Sequence, residues 1–257
     1  MKLIIGLLGI AVLVWLIRNY LGLNKKTSVR TSIANLATIL EQEVMFYQRL
    51  SIHQKQQFEE KVNQFLSEVT IEGVGLNITD EDRVLVAASA VIPVFYFDSW
   101  TYKNLSNVLL YPDTFNESFQ YDSDKRNIAG MVGTGFMNGQ MILSQRALRQ
   151  GFRNNADKSN TGIHEFVHLL DKSDGETDGI PENLLAHQYT IPWLKLIHEG
   201  IRDIKKGQSD IDPYGATNDA EFFAVAAEYF FEQPQRFQQN HPELYALMQL
   251  IFQTEDK

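Results

Sequence analysis

Two histidines and a glutamate in the run His164-Glu165-Phe166-Val167-His168 have the types and spacing of a metal-dependent hydrolytic site. On an α-helix, residues four apart project from the same face, so the two imidazoles can direct nitrogens at one ion. Glu165 is then placed to take a proton from a water molecule beside that ion without binding the ion itself. The alternative is a solvated helix whose polar face happens to carry two histidines.

The residues around this run favour the metal-binding interpretation. Asn160-Thr161 is typical of a helix start, and the segment 171–175 is typical of a helix end. An apolar stripe falls opposite the histidines at helical spacing, formed by Ile163, Phe166, Val167 and Leu170. The sequence therefore predicts a helix that buries one face and presents its histidines to a cleft.

Catalytic zinc usually takes three protein ligands and leaves one position to water, so a third ligand is needed. Asp174 lies six residues after His168, but that spacing needs a glycine three residues after the histidine, where Asp171 stands. Glu182 and His187 lie far enough after His168 in the sequence to supply a third ligand, but neither belongs to a clear amphipathic helix.

Glu221 is the favoured third ligand. It lies in the aromatic run 219–231, which predicts a mostly buried helix with Glu221 and Glu228 on one face. A carboxylate held against an apolar helix needs a partner, since an unpaired buried charge is costly. A zinc ion is one such partner, and a salt bridge to an arginine is the alternative. Asp174, Glu182 and His187 stay open as substitutes.

The composition is that of a folded globular protein and limits the chemistry of the site. The chain has 257 residues, 44% hydrophobic and 21% charged, which suits one large domain or two modest ones. Its net charge of −9 argues against a nucleic-acid surface, which needs clustered lysine and arginine. It has no cysteine, so a metal has to be held by histidines and carboxylates.

The N-terminal residues differ from the rest of the chain. Residues 3–17 are uncharged and almost wholly aliphatic, and apolar residues continue to Leu23. We interpret residues 1–23 as a transmembrane anchor in contact with the lipid bilayer through 3–23, residues 24–31 as a tether, and 32–257 as a zinc peptidase domain. Basic residues are more numerous after the span than before it. The positive-inside rule therefore predicts a single-pass inner (plasma) membrane protein whose catalytic body lies in the cytoplasm.

The remaining patterns predict helices around a few strands. Segments 32–50 and 53–68 have amphipathic periodicity, and Thr79 to Asp82 resembles a capping box that opens a further helix. Residues 108–111 predict a strand, and Asn138-Gly139 between apolar runs predicts a hairpin whose edge can bind an extended peptide. The expected fold class is α+β, mostly helical with a small mixed sheet, preceded by one transmembrane helix.

Taken together, several motifs resemble the Mlc titration factor A family of zinc peptidases, over roughly residues 45 to 235. The anchor is not part of this pattern. The segments that carry the resemblance are 83–93, 108–112, 130–133, 164–171, 174–175, 178–181, 214–218, 220–225 and 228–231.

The resemblance implies a zincin-like gluzincin domain similar to the catalytic domain of anthrax lethal factor. It implies that His164, His168 and Glu221 bind one Zn²⁺ and that Glu165 is the general base. Tyr214, seven residues before Glu221, is implied to stabilise the oxyanion. The expected function is a membrane-anchored peptidase that hydrolyses peptide or protein substrates. The family name implies an alternative, a regulatory protein that sequesters a transcriptional repressor of the Mlc type, with weak or latent peptidase activity.

Overall fold

A four-stranded mixed sheet forms one side of the fold in a computed structural model, which describes residues 33–121, 126–133, 138–154 and 157–253. The strand order is β1-β2-β4-β3, with β1, β2 and β4 parallel. Strand β3 is antiparallel to β4 and lies at the edge of the sheet. The strands are β1 (Thr70–Gly73), β2 (Asn107–Tyr111), β3 (Gly130–Val132) and β4 (Gln140–Ser144).

Helices make up most of the described chain. They are α1 (Leu36–Glu43), α2 (Met45–Gln48), α3 (Ile52–Glu68), α4 (Asp80–Val91), α5 (Gln145–Arg153), α6 (Thr161–Asp171), α7 (Thr190–Lys205), α8 (Asp219–Glu232), α9 (Pro234–Asn240) and α10 (Pro242–Phe252). Short 3₁₀ turns follow α4 and α6 and precede α7 and α8, at Ile92–Val94, Lys172–Asp174, His187–Tyr189 and Pro213–Ala216.

Helix α6 carries the His-Glu-x-x-His run and is buried along most of its length. Asn160 caps its start, where the side-chain Oδ1 accepts a hydrogen bond from the Ile163 amide at 3.1 Å. Phe166 and Leu170 are fully buried in the main core. The predicted apolar stripe therefore packs inward, as helical periodicity requires.

Helix α8, which carries Glu221, is buried along almost its whole length and is hydrogen-bonded at both ends. Twelve of its 14 residues are buried, Glu221 and Asp219 being the others. Asn218 caps the start by accepting the Glu221 amide at 2.9 Å. At the other end, the Arg49 guanidinium donates to the carbonyls of Phe231 and Glu232 at 3.3 and 3.1 Å. Both ends of the helix are thus fixed by specific hydrogen bonds.

Gly179 joins the end of α6 to the start of α8. Its amide donates to the buried Asp171 carboxylate at 2.8 Å, and its carbonyl accepts from the Trp193 indole at 2.7 Å. Its φ is +80°, and a Cβ at this position would overlap the carbonyl oxygen of Asp219. Only glycine lets the backbone come this close in a left-handed conformation.

The predicted secondary structure is confirmed in its main features and corrected in detail. The chain is mostly helical with a small mixed sheet, as expected. The single helix expected over 32–50 is two helices separated at Val44. The predicted hairpin is formed by the antiparallel strands β3 and β4, but with Val132 opposite Met141 its connection is longer than the Asn138-Gly139 pair.

The predicted transmembrane helix and single-pass membrane location are corrected. In the described part of the chain, no helix is both long enough and apolar enough to cross a bilayer. The anchor at 1–23 and the tether at 24–31 lie outside the described residues. The boundary between tether and peptidase domain stays a prediction.

We expect Gly179→Ala to lower the free energy of unfolding of the full chain by on the order of 2–4 kcal/mol, since it adds a steric overlap to a left-handed backbone. Gly207→Ala is the matched control, because Gly207 also has a positive φ (+68°) but open space around its Cβ position. That control should cost only about 1 kcal/mol. Urea unfolding measures both, and equal losses would show that Gly179 is not a point of close approach.

Candidate metal centre and active site

Three side chains from two helices bring their donor atoms together at the surface of α6 and α8. His164 Nε2 lies 3.1 Å from His168 Nε2 and 2.9 Å from Glu221 Oε2, and His168 Nε2 lies 3.4 Å from the same oxygen. All three side chains are mostly buried but open to a cleft. We call these three atoms the donor triangle.

The donor triangle fits a single small cation. Ligands about 2.0–2.2 Å from a tetrahedral zinc ion are roughly 3.3–3.6 Å apart, and the observed separations of 2.9, 3.1 and 3.4 Å are equal to this or a few tenths of an ångström shorter. Two imidazole nitrogens and a carboxylate oxygen are also the donors that catalytic zinc sites use in the absence of thiolates. The residues that the sequence favoured as ligands are therefore a group that the structure brings close enough together to hold a metal ion.

The histidines and the carboxylates in and beside the donor triangle shift each other's pKa values. Burial alone would lower the pKa of His164, but the carboxylates of Glu228 and Glu221 outweigh burial and hold that pKa well above its ordinary value. Burial alone would raise the pKa of Glu221, but hydrogen bonds from His164 and His168 lower it to about 2. An ion bound here has to replace the proton on His164 Nε2, so its affinity should depend on pH.

Glu165 lies beside the donor triangle rather than in it. Its side chain packs against Gly130 of the edge strand β3, where any Cβ would overlap the glutamate side chain. Burial raises the pKa of Glu165, an effect that His164 and His168 oppose. A carboxylate in the same cleft as the triangle, with its pKa raised by burial, can accept a proton from a water molecule there.

Glu228 contacts His164 from the side opposite the cleft. Its Oε1 lies 2.7 Å from His164 Nδ1, and its Oε2 accepts the backbone amide of Asn160 at the start of α6. With the proton on Nδ1, this contact leaves the Nε2 lone pair facing the triangle. Glu228 is 5% exposed, so these two hydrogen bonds are what satisfies its charge.

His168 has no equivalent contact among the described residues. Its Nδ1 is buried without a hydrogen-bond partner there, as is Asp171 Oδ1. The other oxygen of Asp171 holds Gly179, and burial raises the pKa of Asp171 to about 6. Asp171 therefore acts on the loop after α6, and Glu228 is the residue that contacts an imidazole.

Tyr214 lies at the rim of the cleft. It belongs to the 3₁₀ turn before α8, where the Asp212 carboxylate accepts its amide at 2.8 Å. The ring is 56% exposed and its centroid lies 6.0 Å from that of His164. Partial burial, followed by the charges of Glu221 and Glu165, raises the pKa of Tyr214, so the phenol keeps its proton and can donate it in a hydrogen bond.

The substitute ligands lie elsewhere. Asp174 accepts the backbone amides of Glu176 and Glu182 at 3.2 and 2.9 Å, which closes the loop after α6. The side chains of Glu182 and His187 are exposed, and neither belongs to the group of metal-ligating side chains that the structure brings together.

The cleft around the triangle has a volume of about 630 Å³ and is bounded on one side by β3. Sequence reasoning missed the position of Gly130 against Glu165, which no local pattern signals. It also left Glu228 without a firm role, although its spacing of seven from Glu221 placed both on one helical face. Polar residues further along the cleft wall are Lys172, Thr177, Asp178, Asn218 and Asp219.

The fold and the site together define a protein with a candidate metal centre between two buried helices, beside the antiparallel edge strand of a mixed sheet. The chain belongs to the family of glucose-regulated metallo-peptidases M90, whose family model matches residues 23–253. A metallopeptidase family accounts for the convergence of metal-ligating side chains in the cleft.

The chain is also similar to several individual proteins. It is 30% identical to the uncharacterized protein slr2042 of Synechocystis sp., over 96% of this chain and 94% of that protein. It is 28% identical to the Mlc titration factor A of Pectobacterium atrosepticum, over 70% of this chain and 71% of that protein. The Mlc titration factor A of Klebsiella pneumoniae (strain ATCC 700721) is 27% identical, over 66% of this chain and 68% of that protein.

The buried carboxylate of Glu232 lies on α8 near the site, and its pKa predicts how the stability of the fold depends on pH. Burial raises the pKa of Glu232 from 4.5 to about 7, against a hydrogen bond from Asn160. The folded chain then binds this proton more tightly than the unfolded chain, so its stabilising contribution is complete below 4.5 and is lost as the pH rises through about 7.

We expect Glu232→Gln to remove this loss, worth up to about 3 kcal/mol in the free energy of unfolding of the metal-free full chain. Urea unfolding from about pH 4.5 to about pH 8 measures the effect. Glu60→Gln on the exposed side of α3 is the control and should keep the wild-type pH dependence. An unchanged pH dependence in Glu232→Gln would show that Glu232 stays ionised in the fold.

Proposed function

We propose that this chain is a zinc-dependent peptidase in which His164, His168 and Glu221 hold one Zn²⁺. The observation that carries the proposal is the donor triangle, whose atoms lie 2.9 to 3.4 Å apart. Two imidazoles and a carboxylate suit zinc better than magnesium or calcium, which prefer oxygen ligands alone. Membership of a metallopeptidase family supports the reaction class.

The residues of the cleft divide the chemistry between them. When bound, the ion supplies the Lewis acidity that polarises a peptide carbonyl and makes water nucleophilic near neutral pH. Glu165 takes a proton from the attacking water on its carboxylate and passes it to the leaving amine. The Tyr214 hydroxyl donates a hydrogen bond to the carbonyl oxygen as negative charge develops there, a contribution typically worth about 3 kcal/mol.

Strand β3 is suited to hold the substrate in this cleft. It lies at the edge of the sheet, and Gly130, Met131 and Val132 all line the cleft. One side of the strand pairs with β4, so its other side can pair with an extended peptide, which adds to the sheet as a further strand. Such pairing binds the peptide backbone whatever its sequence and places it beside Glu165.

Glu228 is a positioning residue in this proposal. It touches neither the ion nor the substrate, but its contact with His164 Nδ1 sets the tautomer and the ring orientation. Its second contact, with the Asn160 amide, ties the same carboxylate to the start of α6. Glu221 lies seven residues before Glu228 on the same helix, α8. The two contacts of Glu228 therefore hold the His164 ring in position relative to Glu221.

A second candidate function is the binding of a regulatory protein. The relatives from Pectobacterium and Klebsiella are named Mlc titration factor A, and that name supports a repressor of the Mlc type as a partner of this chain. The two functions differ in one respect that can be measured, because binding of a repressor does not need the general base.

We expect Glu165→Gln in the full, zinc-loaded chain to lower kcat for peptide hydrolysis by about 10²–10⁴-fold, because the amide cannot take the proton of the attacking water. Zinc content should be unchanged, since Glu165 lies outside the donor triangle. Glu176→Gln, in the exposed loop after α6, is the control and should keep full activity. Fluorogenic peptide cleavage and metal analysis measure the two quantities.

A Glu165→Gln variant that hydrolyses peptides at the wild-type rate would remove the general-base assignment. If the wild-type chain shows no Glu165-dependent hydrolysis but binds a repressor of the Mlc type, and Glu165→Gln binds it equally well, the second candidate function replaces the first.

We expect Glu228→Ala to weaken zinc binding by about 10–100-fold, because His164 loses the partner that orients it. Glu228→Gln keeps one acceptor for His164 Nδ1 and should lose less. Competition with a chromophoric chelator measures each dissociation constant. Glu232→Gln is the matched control, because Glu232 lies one turn further along α8 and contacts Asn160 but no ligand. Equal losses in Glu228→Ala and Glu232→Gln would assign the effect to general loosening of α8.

A further inference from the structure

A second cavity of about 530 Å³ lies directly beside the catalytic cleft. Val132 and Lys172 line both spaces, so the cavity begins where strand β3 ends and where helix α6 passes into its 3₁₀ turn. The segment 99–105 forms the opposite wall. The cavity is within the size range of pockets that enclose a ligand group, and we call it the side pocket.

Aromatic and aliphatic side chains form a rigid wall in the side pocket. The Tyr102 hydroxyl donates to the Ala90 carbonyl at 2.7 Å, and its ring packs on Phe166 with centroids 5.1 Å apart. The Trp100 ring meets the Tyr102 ring edge to face, with centroids 6.3 Å apart. Leu169, the residue after His168, closes the wall on the α6 side. The wall thus includes a residue of α6, the helix that carries two of the three proposed metal ligands.

The side pocket differs in charge from the catalytic cleft. None of the described residues that line it is acidic, and Lys103 and Lys172 contribute two ammonium groups. The cleft, by contrast, is lined by Glu165, Glu221, Asp178 and Asp219. A basic side chain in the pocket would meet like charge without a carboxylate to pair with, which is unfavourable at short range.

We propose that the side pocket binds one large uncharged side chain of the peptide substrate, aromatic or branched aliphatic, close to the bond that is cleaved. This inference rests on the proposed peptidase function. A peptide that pairs with β3 passes Val132, where the two spaces meet, so its backbone lies in the cleft while one side chain enters the pocket. Apolar contact with Trp100, Tyr102 and Leu169 then favours a large side chain over a small one.

The test uses internally quenched peptides with the full, zinc-loaded chain. Alanine, leucine, phenylalanine or lysine is placed in turn at each of several positions on either side of the cleavage site. We expect one position at which kcat/KM for phenylalanine or leucine exceeds that for alanine by roughly tenfold to a hundredfold, with lysine at or below alanine. Preference for lysine at that position would overturn the proposal.

Variants that fill the pocket identify its location. Ser173 and Asn183 are exposed residues that line the side pocket but not the cleft, so Ser173→Phe and Asn183→Phe should occupy it without disturbing the core. Both should remove the preference for a large side chain, so that kcat/KM for the phenylalanine and leucine peptides falls to about that for the alanine peptide. Ser67→Phe, on the exposed side of α3 and outside both spaces, is the matched control and should keep the preference.

The outcomes separate this inference from the function on which it rests. If cleavage depends on Glu165 but no position selects a large side chain, or if the selection survives in both pocket-filling variants, the side pocket is not a substrate site and the peptidase proposal stands. If no peptide is cleaved in a Glu165-dependent way, the peptidase proposal falls and the substrate pocket falls with it.

Discussion

The contact between Glu228 and His164 joins the two helices that carry the donor atoms. A carboxylate that is 5% exposed is costly to bury unless it is hydrogen-bonded, and its partners here are the His164 ring and the Asn160 amide, both belonging to α6 or its cap. A slide of one helical turn, about 5.4 Å, would leave the carboxylate without either partner. The energetic penalty for an unpaired Glu228 therefore fixes the register of α8 against α6, and that register sets the distance from Glu221 to the histidines.

Helices α6 and α8 carry more acidic side chains than basic side chains that could neutralise them. Glu165, Glu221, Glu228 and Glu232 all lie on α6 or α8. Mutual repulsion contributes to the raised pKa values of Glu165 and Glu232, although burial is the larger cause of both. A divalent cation in the donor triangle would offset this repulsion and stabilise the two helices against each other. Metal binding and the stability of this part of the fold are therefore expected to be coupled.

The sequence was informative where the chemistry follows from a local repeat. The helical period was enough to predict that His164, Glu165 and His168 lie together. Glu221 was predicted as a ligand because a carboxylate on so apolar a helix needs a partner. Contacts between distant segments have no such repeat. Gly130 against Glu165 and Gly179 against Asp219 are close approaches that no spacing encodes. The predicted hairpin is present as β3 and β4, but its register, with Val132 opposite Met141, makes the connection longer than the Asn-Gly pair. The membrane prediction rested on the apolar N-terminal stretch and the basic residues around it, and no helix of the described residues can cross a bilayer.

Helix α6 lies between two spaces of opposite charge character, and this position gives it two roles in the proposed function. His164, Glu165 and His168 face the acidic cleft, where a cation and a water molecule are needed. Leu169 and Lys172, just beyond them, face the side pocket, where no described lining residue is acidic. Pairing with β3 uses the backbone of the peptide and does not depend on its sequence. Selectivity therefore has to come from peptide side chains that project away from the strand into a pocket. In this proposal α6 carries two of the three candidate ligands and also a wall of the pocket, so recognition of a side chain would also set the position of the peptide bond over the donor triangle.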